Sequence, residues 1–79
     1  MVHLPIFAVS VTDDYCLDVF IVAAPNKETA VACVDDSYSS YNPLREADPA
    51  KRVTPRVSKL SEDALVKKMG VLFYDGYAE

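Results

Sequence analysis

The segment Val19–Val34, VFIVAAPNKETAVACV, joins a β-strand pattern directly to a helix pattern. Its first residues are β-branched and aromatic, and they belong to a strand predicted over Tyr15–Ala23. Pro25-Asn26 ends this strand, because proline cannot donate to a sheet and asparagine is a favourable helix N-cap. Apolar side chains then recur at helical spacing, which predicts a helix over Asn26–Ser40, or a shorter one that ends near Ser37.

A second strand pattern precedes this segment. Leu4–Val11 predicts a strand, and Thr12-Asp13-Asp14 supplies turn residues, so the chain is expected to open with a β-hairpin. Alternate side chains of a strand point to opposite faces, so Tyr15–Ala23 has two faces, and Asp18 indicates that its face is at least partly exposed to solvent. The predicted core face is therefore Leu17, Val19, Ile21 and Ala23. The predicted outer face contains Cys16, Asp18, Phe20 and Val22, with Phe7 or Ile6 and Phe73 or Leu72 beside them.

The second half of the chain is more irregular. Asn42–Lys51 predicts a polar loop, and Arg52–Leu60 predicts a third strand. Pro55 places that strand at a sheet edge, because its nitrogen carries no hydrogen for a ladder bond. A short second helix is predicted over Glu62–Met69, or a single turn in its place, and Val71–Tyr74 predicts a last strand.

Together these elements predict an α+β fold in one domain, residues 1–79. The order ββαβ(α)β corresponds to a three- to four-stranded, mostly antiparallel sheet with one main helix packed on one face. The 79 residues are too few for a second core. The sheet face without a helix would be open to water, a partner or a second copy, so both a monomer and a homodimer are compatible with the sequence.

Negative charge is concentrated in the first 41 residues, while the whole chain carries −4. Six carboxylates and one lysine lie there, and the remainder has seven bases and six acids. Because the acids fall within predicted elements, a folded surface would display them, and such a surface suits a basic protein partner. The six carboxylates are Asp13, Asp14, Asp18, Glu28, Asp35 and Asp36.

Catalytic and metal chemistry are not predicted. The single histidine, His3, lies at a terminus, and Cys16 and Cys33 are expected on opposite sides of the sheet as reduced thiols that cannot pair. Zinc needs four Cys or His ligands, and the calcium-loop pattern lacks its glycine and closing glutamate. No cofactor is expected. The chain also lacks an apolar run long enough to span a membrane and a signal-peptide pattern, so a cytoplasmic location is predicted.

Three binding hypotheses remain. The leading one is a non-enzymatic inhibitor or regulator that binds a basic protein surface, with tyrosines at its edge because tyrosine suits interfaces. The second is a structural or interaction module that dimerises through its open sheet face or an edge strand. The third, a nucleic-acid binder using Arg52, Arg56 and Lys59, is disfavoured by a pI near 4.8. The predicted partner-binding residues are Asp13, Asp14, Asp18, Asp35, Asp36, Tyr15, Tyr38 and Tyr41.

In size, acidity and α+β pattern the chain resembles the small proteins that phages encode against host defence, notably anti-CRISPR proteins. The features that carry this resemblance are the passage VFIVAAPNKETAVACV and the acidic pairs Asp13-Asp14 and Asp35-Asp36. Anti-CRISPR proteins share no common sequence signature, so no functional residue is transferred by position. The resemblance implies steric or DNA-mimicking inhibition of a nucleic-acid-binding complex, such as a CRISPR effector subunit in the host cytoplasm.

Overall fold

The computed structural model describes residues 1–13, 16–39 and 41–78, without the side chains of residues 16, 77 and 78. Four strands form one sheet with the order β3-β1-β2-β4, and every neighbouring pair is antiparallel. One α-helix packs against this sheet, so the predicted fold class is confirmed. The elements are β1 (Val2–Thr12), β2 (Cys16–Ala23), α1 (Lys27–Ser37), β3 (Arg56–Val66) and β4 (Gly70–Ala78), with single 3-10 turns at Pro43–Arg45 and Pro49–Lys51.

The core lies between α1 and the face of β1 and β2 that carries the large side chains. Phe7 pairs with Val22 and Val9 pairs with Phe20, and all four are buried. The predicted core face of β2 is therefore wrong for most of the strand: Leu17 is 44% exposed, whereas Phe20 and Val22 lie in the core, and Ala23 is the one buried residue of the predicted face. Burial of Phe20 and Val22 stabilises the fold by more free energy than burial of the Asp18 carboxylate costs, provided that the carboxylate is hydrogen-bonded.

Helix α1 agrees with its predicted start and with the shorter of its predicted ends. The Asn26 side chain accepts a hydrogen bond from the Thr29 amide at 2.8 Å, which satisfies one of the unpaired donors of the first turn. Ala30 and Val34 are buried against the sheet. The helix ends at Ser37, whose hydroxyl donates to the Val34 carbonyl.

The predicted second helix, Glu62–Met69, is wrong, because most of it belongs to β3 and the rest to a three-residue connection. An isolated helix of this length is marginal, whereas β1 offers backbone partners to the whole of β3. The pairs run from Ser10↔Arg56 to Val2↔Val66, with register shifts on either side of Ile6. Pro5 lies in this irregular region, where a missing amide hydrogen costs little.

The edge strands are also longer than predicted. β3 lies at one edge of the sheet, as predicted, but its predicted start is wrong: the strand begins at Arg56, so residues 52–54 and Pro55 lie before it. The next strand, β4, lies at the opposite edge. It begins at Gly70, whose φ of 135° is a backbone conformation that side-chain-bearing residues rarely adopt.

The predicted loop after α1 covers part of the core. Pro43 is buried, and Leu44 and Val53 pack against the core cluster. Asn42 and Asp48 cap the two 3-10 turns by accepting backbone amides. In the described part of the chain, no helix has both the length and the apolar character needed to cross a membrane.

Candidate binding groove over Asp18

Asp18 is a buried carboxylate that three elements bring into contact with two tyrosines. It lies on the core face of β2 and is 8% exposed. Tyr38, at the end of α1, donates its hydroxyl to Asp18 Oδ2 at 2.8 Å, and Tyr74 of β4 donates to Oδ1 at 2.9 Å. These two charge-assisted hydrogen bonds compensate for burial of the carboxylate. Asp18 was predicted on a wet outer face, and that placement is wrong.

The aromatic rings around Asp18 form one continuous group. Phe20, two residues along β2, is 3% exposed and lies on the same face. Its ring contacts Tyr38 edge-on at a centroid distance of 5.7 Å and Tyr74 in a tilted arrangement at 4.9 Å. Such pairs add about 0.5–1.5 kcal/mol each beyond area burial. Phe20 therefore holds both tyrosine rings over the carboxylate.

Gly76 makes room for this arrangement. It pairs directly with Asp18 across the β2–β4 ladder. A Cβ atom at Gly76 would lie 2.0 Å from the Tyr74 hydroxyl oxygen and 2.9 Å from Asp18 Oδ1. Tyr74 thus reaches Asp18 by crossing the space that a side chain at residue 76 would occupy, a close approach for which a strand glycine is suited.

An open groove of about 350 Å³ lies above these rings. Tyr74 and Tyr41 at its walls are 53% and 55% exposed, so about half of each residue is open to solvent. A groove with aromatic walls and a carboxylate beneath one wall favours a cation, because ring faces and carboxylate both attract positive charge. The lining residues are Phe20, Ser37, Tyr38, Ser39, Tyr41, Val71 and Tyr74.

Two of the predicted partner-binding residues, Tyr38 and Tyr41, line this groove, and a third, Asp18, is hydrogen-bonded to the lining residues Tyr38 and Tyr74. Tyr74 and Gly76 were not among the predicted site residues, because nothing in their local spacing connects them with a residue 56 positions earlier. A weak signal is present in Tyr74-Asp75-Gly76, where a glycine two residues after a tyrosine faces the same side of the strand. That signal becomes meaningful only once β2 is known to be the neighbour of β4.

Asp35 has a different role from the predicted one. Its side chain is 17% exposed and forms an ion pair with Arg45, with Arg45 Nε donating to Oδ1 at 2.9 Å. Asn42 Nδ2 also donates to Oδ1, at 2.6 Å. The Arg45 hydrogen bond holds the pKa of Asp35 below its ordinary value. A carboxylate is unfavourable at a helix C-terminus. Asp35 nevertheless stabilises the local structure, because its hydrogen bonds connect α1 to the loop that follows it.

The other predicted acidic residues are dispersed. Asp36 is exposed on the outer side of α1, and Asp13 is half-buried at the end of β1, where it lines a second open cavity together with Tyr41 and Arg52. Asp14 and Tyr15 lie outside the described residues. Exposed negative charge on this side of the molecule therefore comes from residues other than Asp18 and Asp35.

The two cysteine predictions have different outcomes. Cys33 is half-buried and packs against the core, and burial raises the pKa of its thiol, with a further contribution from Asp36. A raised thiol pKa lowers the reactive thiolate fraction, which agrees with an inert packing role. The Cys16 side chain lies outside the described part of the structure. The argument that separated the two thiols assumed the wrong core face of β2.

The predicted basic strand is divided between environments. Arg52, before β3, donates to the Glu46 carbonyl at 2.9 and 3.1 Å. Arg56 pairs with Ser10, whereas Lys59 pairs with Phe7 and places its ammonium 5.9 Å from that ring. Ser10 and Phe7 point to opposite faces of β1, so Arg56 and Lys59 do not share a face.

No group of three or more His, Cys, Asp or Glu among residues 1–13, 16–39 and 41–78 has a geometry that could hold a metal ion. His3 Nδ1 lies 3.3 Å from Asp63 Oδ1 on the exposed ribbon of β1 and β3. Comparisons of the chain with protein-family models, curated proteins and solved structures found no match.

Proposed function

We propose that this chain is a non-enzymatic binding protein that accepts an arginine or lysine side chain of a protein partner in the groove over Asp18. The observation that supports the proposal is the buried carboxylate held by Tyr38 and Tyr74 under exposed aromatic faces. A basic side chain is the ligand that satisfies both features, because its apolar stem packs on the rings and its charge lies near the carboxylate.

The interaction energies are of the size that a recognition contact requires. A cation over an aromatic face contributes about 0.5–2 kcal/mol, and the larger value applies when water is excluded. Each Asp18 oxygen accepts one of the tyrosine hydrogen bonds described above, and a carboxylate has about four acceptor positions in all. Acceptor capacity therefore remains on Asp18, whose negative charge lies directly behind the tyrosines that line the groove.

The charge distribution favours the same partner. Residues 1–54 contain eight acids and four bases, whereas residues 55–79 contain four of each. The net −4 is thus carried by the part of the chain that forms α1 and most of the groove, and Glu28 and Asp36 are exposed on the helix. A field of this sign steers basic surfaces toward the molecule and raises the association rate.

A nucleic-acid-binding protein is the class of partner whose surface has the required charge. By occupying such a surface, the chain would exclude the nucleic acid and act as an inhibitor or regulator. The resemblance to anti-CRISPR proteins points to the same class, with a CRISPR effector subunit in the host cytoplasm as the partner and carboxylates in place of phosphates.

The proposal is tested by NMR titration of the ¹⁵N-labelled chain with N-acetyl-arginine methylamide. Shift changes are expected at Tyr38, Tyr41 and Tyr74 and at the backbone around Asp18. The citrulline analogue, which has the same shape and no charge, is the matched control and should cause smaller shifts. Asp18→Asn keeps the side-chain volume and removes the charge, so it should weaken arginine binding by about tenfold, equivalent to about 1.4 kcal/mol.

Equal shifts with the arginine and citrulline compounds, or undiminished arginine binding by Asp18→Asn, would contradict the proposal. Because Asp18 is buried, the variant is first checked for folding by circular dichroism and by its thermal midpoint. If it does not fold, Tyr41→Ala replaces it, since Tyr41 is more than half exposed and its loss leaves the core intact.

A further inference from the structure

The two edges of the sheet differ in how well they are protected from pairing with another chain. Edge strands expose unpaired backbone groups, and proteins protect them with charges, prolines and bulges. β3 has Pro55 directly before it, charged residues along its length and two register shifts against β1. Its charged residues are Arg56, Lys59, Glu62 and Asp63.

β4 has much less of this protection. Its nine residues, GVLFYDGYA, contain one charged side chain, Asp75. The register shift near Leu72 is confined to its start, and residues 73–78 pair regularly with β2. Leu72 is 48% exposed and Phe73 is 59% exposed. Within the described residues β4 pairs only with β2, so a nearly uncharged strand edge is open along its length.

The molecule also exposes more surface than its mass predicts. A folded monomer of 8.7 kDa should expose about 4,700 Å². This chain exposes 5388 Å² and is elongated, with extents of 38 × 22 × 21 Å. The excess of about 650 Å² is close to the roughly 800 Å² that each partner buries in a stable protein interface.

We infer that β4 pairs with β4 of a second copy of this chain in an antiparallel homodimer. A strand that pairs antiparallel with itself does so about a two-fold axis, so one patch supplies both halves of the interface. The product is a continuous eight-stranded sheet with both helices on the same side. Pairing also closes at two copies, because the remaining edges are the protected β3 strands.

The face of the sheet opposite α1 supplies apolar area to the same interface. Phe73 pairs with Ile21 on that face, and Leu17 lies further along the same side of β2. When two β4 strands meet, the exposed Phe73 rings approach their counterparts across the axis. Cross-strand aromatic contacts then add to the new backbone hydrogen bonds. This inference does not depend on the arginine groove, which lies on the helix side.

The test is sedimentation velocity of the full chain over a wide range of concentrations. The expected species has twice the monomer mass of 8.7 kDa. Phe73→Lys places a charge on the pairing strand without opening the core and should raise the dimer dissociation constant by about tenfold or more. Leu60→Lys is the matched control: Leu60 is 58% exposed on the other edge strand, and this variant should dimerise like the parent.

Hydrogen exchange shows whether β4 itself is the interface. Amides of β4 that face away from β2 should exchange slowly in the dimer and rapidly on dilution. Four outcomes would each overturn the inference: a monomer at all concentrations, open-ended oligomers, greater sensitivity to Leu60→Lys than to Phe73→Lys, or a dimer whose β4 amides remain unprotected. If the chain failed to bind arginine, the groove proposal would be wrong, but the test of the β4 dimer would be unaffected.

Discussion

At the scale of single residues, the site depends on three positions that are far apart in the chain. Asp18 supplies the charge, Tyr74 reaches it from the neighbouring strand, and Gly76 leaves the space that this contact needs. None of the three has a distinctive local pattern. Their importance follows from the β2–β4 register, which places residue 76 directly opposite residue 18.

Gly76→Ala should therefore break the site without changing any of its contacting residues. The new Cβ overlaps the Tyr74 ring and hydroxyl and forces this side chain away from Asp18. We expect a loss of about 1–3 kcal/mol in the free energy of unfolding, typical of overpacking, together with weaker arginine binding. Urea denaturation measures the first effect and NMR titration the second.

The control for this prediction is a double-mutant cycle with Tyr74→Ala. Once the colliding ring has been removed, Gly76→Ala should cost much less than it does in the parent chain. An equal cost in both backgrounds would show that the penalty does not arise from the Tyr74 contact.

At the scale of elements, the acidic end of α1 illustrates how a loop can be fixed to a helix. Asp35 accepts hydrogen bonds from Arg45 and Asn42, and the loop that contains them covers the core with Leu44. A carboxylate that is unfavourable for the helix alone is thus favourable for the helix and loop together.

The Asp35–Arg45 pair should make stability depend on pH in the acidic range. The pKa of Asp35 in the folded chain lies below its ordinary value of 3.8, so the ionised carboxylate stabilises the fold at neutral pH. This contribution is complete above the unfolded pKa and is lost as the pH falls through the folded one. Arg45→Gln should be less stable than the parent at pH 7, and the difference should shrink toward pH 2.

Urea unfolding at several pH values measures this effect. Arg56→Gln, which removes an exposed arginine at the start of β3, is the matched control and should leave the acid dependence unchanged. A constant difference between Arg45→Gln and the parent from pH 7 to pH 2 would contradict a role for Asp35 ionisation.

At the scale of the whole molecule, net charge and the exposed apolar strand edge belong to different parts of the chain. The net −4 is carried by residues 1–54, which include α1 and most of the groove residues, whereas the exposed apolar residues of β4 lie at the sheet edge. A dimer through β4 would present two grooves on one side of a continuous sheet. Two linked sites on one basic surface would bind more tightly than either site alone.

The acidic surface should contribute to binding mainly at low salt. Neutralising Glu28 and Asp36 together, by Glu28→Gln and Asp36→Asn, should weaken binding of a hexa-arginine peptide at 20 mM salt and have little effect at 500 mM. The physical reason is that salt screens exposed charges. Isothermal titration calorimetry at both salt concentrations measures the difference.

The matched control removes the same number of negative charges from a different part of the molecule, the edge strand β3. Glu62→Gln with Asp63→Asn removes two exposed acids from β3, which lies in the electrically balanced half of the chain. This double variant should weaken peptide binding less than the α1 double variant, Glu28→Gln with Asp36→Asn, does. Equal losses from both double variants would mean that net charge, and not a helix-side surface, determines the affinity.

The sequence alone determined the elements with strong local signals. Pro25-Asn26 fixed where β2 ends and α1 begins, and the hairpin and the α+β class followed from strand patterns around it. The edge position of β3 was also predicted, although Pro55, on which that prediction rested, lies just before the strand. These features depend on residues that are adjacent in the sequence. The backbone conformations that proline allows and the hydrogen bonds that an N-cap residue forms are the same in any tertiary structure.

Only the tertiary structure decided which face of β2 is buried and whether Glu62–Val66 is a helix or a strand. Asp18 indicated a wet face until two tyrosines from distant elements satisfied its oxygens. The helix pattern after Ser61 was overridden because β1 offered a ladder of partners. Both outcomes depend on contacts between residues far apart in the chain, and the energies of those contacts exceed local preferences.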